Sequence, residues 1–197
     1  MSKADPASQK KERNKAVRWV VTIFFVTILI SATISLISEE IMAVSGMAVA
    51  FAILLAIVMV GIVFDIIGVA VTSADEKPFH SMAARKVRGA REAISLLRNA
   101  EKVSSICNDV VGDICGVVSG SASATIAAQI LAKFDFSWPM VVSLVMSALV
   151  AGLTVGGKAI GKTFAIRSNT TIVYTVGRIL HFFAHIGDIF KKKKSKR

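Results

Sequence analysis

Three acidic side chains, Asp65, Asp109 and Asp113, stand inside stretches that are otherwise apolar, with Asn108 beside the second of them. A charged group at membrane depth costs about 2.5 kcal/mol or more, so each needs a partner, a wet cavity or a bound ion. Asp109 and Asp113 are four residues apart and share one face of an α-helix. At about 1.5 Å per residue, Asp109 falls about one third of the way into its span and Asp113 near the middle. Asp65 stands at similar depth on the preceding span. Together with Asn108, these oxygens predict a site for a hard cation, Mg²⁺ or Na⁺, because such ions prefer carboxylate and amide oxygens. A plainer alternative is a charge cluster closed by Lys158, whose amine either pairs with one of the acids or snorkels to the headgroups.

Other motifs carry less. GGKAIGKT, residues 156 to 163, fits the phosphate-loop pattern G-x-x-x-x-G-K-[ST]. That pattern cradles phosphates only as a glycine-rich turn between a strand and a helix. Here it ends an apolar stretch, and only 34 residues follow Thr163, too few for the alternating strands and helices of an NTPase; no nucleotide is expected. His181 and His185 have the i, i+4 spacing of a metal pair, without a third ligand in the sequence. Cys107 and Cys115 lie eight residues apart on one span, too far to bond to each other. No Ser/His/Asp arrangement suggests catalysis, so the expected protein is not an enzyme. Gly112, Gly116 and Gly120 on one span, and Gly152, Gly156, Gly157 and Gly161 on the next, are spaced for close helix approach, within the chain or in a homodimer.

The elements that must hold these residues follow from composition. The 197 residues are 54% hydrophobic with a net charge of +11, and the apolar residues fall in long blocks from which charge is expelled. Four blocks are long enough to cross a hydrocarbon core of about 30 Å, which takes about 20 helical residues: 17–38, 42–72, 103–131 and 138–160. Backbone groups exposed to lipid must pair internally, so the spans are helices and the fold class is an all-α integral membrane protein. Pro78 marks a break, after which Phe79, Met82, Val87, Ala90, Ile94 and Leu97 recur opposite Arg85, Arg88, Arg91 and Arg98. That spacing predicts an amphipathic juxtamembrane helix over 78–99, and a second such helix is expected over 167–190 before the basic tail 191–197.

Basic residues set the orientation. Residues 1–18 carry six Lys/Arg, 73–102 carry seven and the chain from Gly157 onward carries ten, whereas Lys133 is the one such residue in the remaining connections. Both termini, including the basic stretch 1–16, and the 73–102 segment are therefore expected in the cytosol, at the plasma membrane, with Phe136 and Trp138 at the outer aromatic edge. The span at 17–38 reads as an uncleaved anchor, since no A-x-A site follows it; the alternative is a secretory signal. The positive charge suits the anionic inner leaflet of the bilayer. It flanks spans instead of paving one surface, so no nucleic-acid partner is expected.

Three further stretches, in order, resemble the transmembrane domain of the CNNM/CorB/CorC magnesium-transport family. FDIIGVAVTSA, residues 64 to 74, is similar to the family's F-S-G-x-E-T-A-x-x-S; ICNDVVGDI, residues 106 to 114, to I-G-N-N-x-x-N-I; and GKAIGKTFAIR, residues 157 to 167, to G-E-x-x-P-K-x-x-A-x-R. SLLRNAEKV, residues 95 to 103, resembles the family's helix-to-span junction. The resemblance covers residues 42 to 190, and places the family-like domain at 42–166. It implies a dimeric helical domain around a dehydrated Mg²⁺ site open to the cytosol. By motif position Asp65 falls on a coordinating Ser, Asn108 on the family's Asn, and Lys162 and Arg167 on its basic residues. Gly68 and Lys158 stand where the family has Glu, and Gly161 where it has Pro. No regulatory domain follows the membrane part, so a separate cytosolic chain is a candidate partner. The leading expectation is a cation-binding or transporting membrane protein; the alternative is a degenerate relative acting as a scaffold or regulatory partner.

Overall fold

The computed structural model describes the backbone of residues 6–134 and 138–194 and the side chains of 17–42, 44–134 and 138–185. Every regular element among them is helical, and four helices are long and apolar enough to cross a membrane. The chain is an all-α, multi-pass membrane protein. Helix α1 covers Pro6–Val44, α2 Met47–Ser73, α3 Lys77–Ala84, α4 Ala90–Arg98 and α5 Ala100–Ser105. A π-helical segment, Ile106–Gly112, joins α5 to α6, Asp113–Lys133, so the third span runs unbroken over Ala100–Lys133. Helix α7 covers Pro139–Arg167 and α8 Asn169–Lys194.

Several boundaries differ from the sequence reading. The gap left between the first two expected spans, which holds Glu39 and Glu40, is helical, and the turn lies instead at Ser45 and Gly46, because α1 continues through both acids. Glu39 is tolerated inside the helix by accepting a short hydrogen bond from Ser121 Oγ on α6. The fourth span extends to Arg167, beyond the expected end at 160. The juxtamembrane helix expected over 78–99 is two helices, broken where Lys86 and Gly89 take positive φ of 58° and 86°. A left-handed conformation cannot be accommodated inside an α-helix, so the chain turns there and α4 packs on α8. Trp138, expected at the aromatic edge, is exposed. Phe136 lies outside the described residues, as do the side chains of 1–16 and 191–197.

Packing forms three apolar clusters. Met42, Ala50, Leu54, Val58, Ala122, Ile126 and Val150 join the end of α1 to α2, α6 and α7. Ala70, Val71, Phe79, Ala93, Leu97, Ala165 and Val173 tie the opposite end of α2 to α3, α4, α7 and α8. Asn169 Nδ2 reinforces this end by donating to the Ser73 carbonyl at 2.9 Å. Val110, Ile114 and Val118 pack with Ile23 and Ile57 between them. None of the most apolar stretch of α1 is buried, against 39% of that of the third span. Accordingly α1 is a peripheral helix, held by Glu39 and by Gln129 Nε2 donating to the Met42 carbonyl at 2.8 Å, while the third span is central.

Candidate functional site

Between the first two clusters, α2 carries Gly61, Asp65 and Gly68, all buried. Helix α7 lies close because its glycines face α2: a side chain at Gly157 would press on Ile62, and one at Gly161 would come within 2.8 Å of Ile66 Cγ1. Asp65 is 6% exposed. Its Oδ1 stands 3.9 Å from Lys158 Nζ of α7, and its Oδ2 has no hydrogen-bond partner. The ammonium lies over Gly112, 3.3 Å from the position a Cβ would take there. A Cβ there would require the amine to shift by a few tenths of an ångström.

Asn108 completes the group. Its Nδ2 donates to Ser104 Oγ at 3.1 Å. The Oδ1 end lies against Gly68, where a Cβ would be 2.8 Å from the Asn108 Cγ. Gly68 follows Asp65 by three residues, one helical turn, so the amide and the carboxylate are served by one face of α2. Asn108 fills the volume that a larger residue at 68 would need. The buried Asn108 Oδ1 also lacks a partner, and among the described residues it and Asp65 Oδ2 are the buried side-chain atoms in that condition. Buried polar oxygens are normally paired, and leaving one unsatisfied costs about 1–3 kcal/mol, more for a charged group. The π segment that carries Asn108 widens the turn; such segments are rare and concentrate at functional sites.

The other two acids are not part of this group. Asp109 and Asp113 are exposed, while Cys107, Val110, Gly112 and Ile114 occupy the buried positions around them. Asp109 belongs to the π segment and Asp113 to the first turn of α6. Projection on a uniform α-helix identified their common spacing but not the side of the span on which they fall, because the π turn shifts the register. Lys162 and Arg167 are exposed on α7 and stand apart from Asp65. Cys107 and Cys115 are free thiols, Cys115 packing against Gly61. Gly116, Gly120, Gly152 and Gly156 have nothing within 4 Å of a would-be Cβ, so close approach uses Gly61, Gly68, Gly112, Gly157 and Gly161 instead. The GGKAIGKT residues are all interior to α7, which removes the turn a phosphate loop requires.

A second polar pair lies at the α3/α4/α8 end. His181 Nδ1 is 2.7 Å from Glu92 Oε1, and His185 Nδ1 is 2.9 Å from the His181 carbonyl. Burial raises the Glu92 carboxyl, but the His181 hydrogen bond, the backbone and the charges of both histidines outweigh it and hold the group below its ordinary value. Sequence spacing alone could not bring Glu92 to His181, since they are 89 residues apart. Among the described residues no three His, Cys, Asp or Glu side chains form a group that could hold a metal.

The chain matched no family model, no curated protein and no solved structure when compared with each.

Proposed function

We propose that this protein binds a small hard cation inside the membrane, with Asp65 and Asn108 as ligands and Lys158 as a tethered competitor for the same carboxylate. The observation that carries the reading is the pair of unpartnered buried oxygens, Asp65 Oδ2 and Asn108 Oδ1, beside an ammonium group only loosely engaged at 3.9 Å. A cation would satisfy both oxygens, and its arrival would release Lys158 toward the polar boundary that its flexible stem can reach. One carboxylate serves the site, so the charge balance favours Na⁺ or another monovalent ion over Mg²⁺. Exchange of a mobile ion for a tethered one gives the bundle two arrangements of equal charge, the kind of pair that alternating access uses. The resemblance to the CNNM/CorB/CorC domain favours cation handling and a homodimer, and the distribution of basic residues favours cytosolic termini at the plasma membrane. Exposed Asp109 and Asp113 favour the dimer too, since carboxylates at membrane depth call for cover or water.

The second reading is a non-transporting scaffold in which Lys158 permanently fills the cation's place; its proximity to Asp65 is the observation in favour. Calorimetric titration of the purified full chain with Na⁺ and with Mg²⁺ separates the two. In the cation reading the parent binds one of them, Asp65→Ala abolishes binding, and Lys158→Ala tightens it by about tenfold or more, the scale of a removed charge competitor. A parent and a Lys158→Ala variant that both bind neither ion would leave the scaffold reading standing.

A further inference from the structure

A cavity of about 880 Å³ opens at the α3/α4/α8 end, bordered by Arg88, Arg178, His181 and His185 and by the exposed rings of Phe182 and Phe183. Its two arginines come from segments far apart in sequence, and a backbone feature brings them together. Gly89, at φ 86°, lies so close to α8 that a Cβ on it would be 2.7 Å from the Arg178 nitrogen; one on Gly177 would be 2.6 Å from the Gly89 carbonyl oxygen. Two glycines thus permit a backbone-to-backbone crossing that sets Arg88 and Arg178 on one rim. The Arg178 guanidinium carbon stands 6.0 Å from the centre of the Tyr174 ring, within the range of a cation–π contact.

Two guanidinium groups bordering one cavity favour an anion between them. Glu92, the partner of the cavity-lining His181, pairs with neither arginine. Immediately beside the basic rim, Phe182 and Phe183 stand edge to face, 5.8 Å between ring centres, and are 63% and 65% exposed. An exposed aromatic pair beside paired arginines suits a boundary between headgroups and hydrocarbon, and α8 begins directly where α7 leaves the bundle.

We propose that this cavity is a binding site for the phosphate of an anionic glycerophospholipid, the guanidinium groups of Arg88 and Arg178 holding the phosphate oxygens and the Phe182–Phe183 wall taking the first carbons of the acyl chains. Arginine suits the role because its planar fork meets phosphate oxygens in pairs. The site is independent of the cation reading, since it shares no residue with Asp65, Asn108 and Lys158.

The test uses the purified full chain in a zwitterionic detergent, titrated with phosphatidylglycerol, with phosphatidylcholine and with inorganic phosphate, binding being followed by native mass spectrometry and by the thermal unfolding midpoint. Phosphatidylglycerol is expected to bind and raise the midpoint, phosphatidylcholine to do so far less, and inorganic phosphate not to compete. R88Q/R178Q should weaken phosphatidylglycerol on the order of 30-fold, the scale for two basic side chains at an anionic surface. K102Q, an exposed basic residue outside the cavity, should leave the affinity near that of the parent. R88Q alone, on the exposed turn before α4, serves if the double variant does not fold and should give part of the loss. Equal binding of the two lipids, an unchanged R88Q/R178Q or R88Q, or a K102Q loss as large as that of R88Q would overturn the site. Full competition by inorganic phosphate would reassign it to a soluble anion.

Discussion

Two pairings of an acid with a base among the described residues, one inside the bundle and one at its end, are built differently. Glu92 and His181 meet at 2.7 Å, with the second histidine hydrogen bonded to the backbone of the first. Asp65 and Lys158 stand 3.9 Å apart, and the carboxylate keeps an oxygen with no partner. Burial makes the contrast instructive. The juxtamembrane pair is in a place where water can make up a missing hydrogen bond, yet it is well made. The bundle pair is where an unmade bond costs most, yet it is loose. A structural ion pair under that cost is expected to tighten, and the looseness inside the bundle is what the proposed exchange of partners would need. The outer pair, in contrast, clamps α4 on α8.

Substitutions that break this contrast should rank by burial. Asp65→Ala leaves the Lys158 ammonium without its counter-charge in the bundle. Losing one partner of a buried pair costs about 3–5 kcal/mol, and the lower end is expected because Lys158 retains 22% side-chain exposure and a stem able to withdraw. Denaturant unfolding in micelles reads the loss; a change below about 1 kcal/mol would show that Lys158 does not depend on Asp65. Gly177→Val at the outer crossing meets a backbone oxygen and the Ala93 nitrogen, which cannot rotate away. Forced separation of packed helices costs about 1–3 kcal/mol, and the same variant should disturb the cavity bordered by Arg88 and Arg178.

The smallest effect is expected from Glu92→Gln, below about 1 kcal/mol, as for other partly exposed pairs. Its signature lies in the pH dependence. The carboxyl is held below its ordinary value of 4.5 in the folded chain, so its contribution is present above that value and disappears as pH falls through the lower folded value. Unfolding midpoints of parent and variant, followed downward from pH 4.5, should converge. Curves that remain parallel throughout would remove the pair from the outer clamp.

Much of the architecture was legible in the order of residues. Four apolar blocks, a break near Pro78 and a basic amphipathic end predict helices, because lipid leaves the backbone no other way to satisfy its hydrogen bonds. That Lys158 could pair with one of the membrane acids was legible as the plainer alternative, since charges at membrane depth need partners, but which acid it meets was not. The helical place of Glu39 was not legible because its remedy, Ser121, lies 82 residues away.

The remaining features needed the fold. Which side of the third span faces α2 depends on a π segment that periodicity cannot detect, and that choice turned the Asn108 Oδ1 inward while exposing Asp109 and Asp113. The contact of Gly68 with Asn108, and of Gly89 with Arg178, joins residues whose only common property is the absence of a side chain on one of them. Composition determines that helices form and cross a membrane, because hydrophobicity and hydrogen bonding act along the chain. Their rotation and separation decide which polar atoms meet, because steric fit acts between segments distant in sequence.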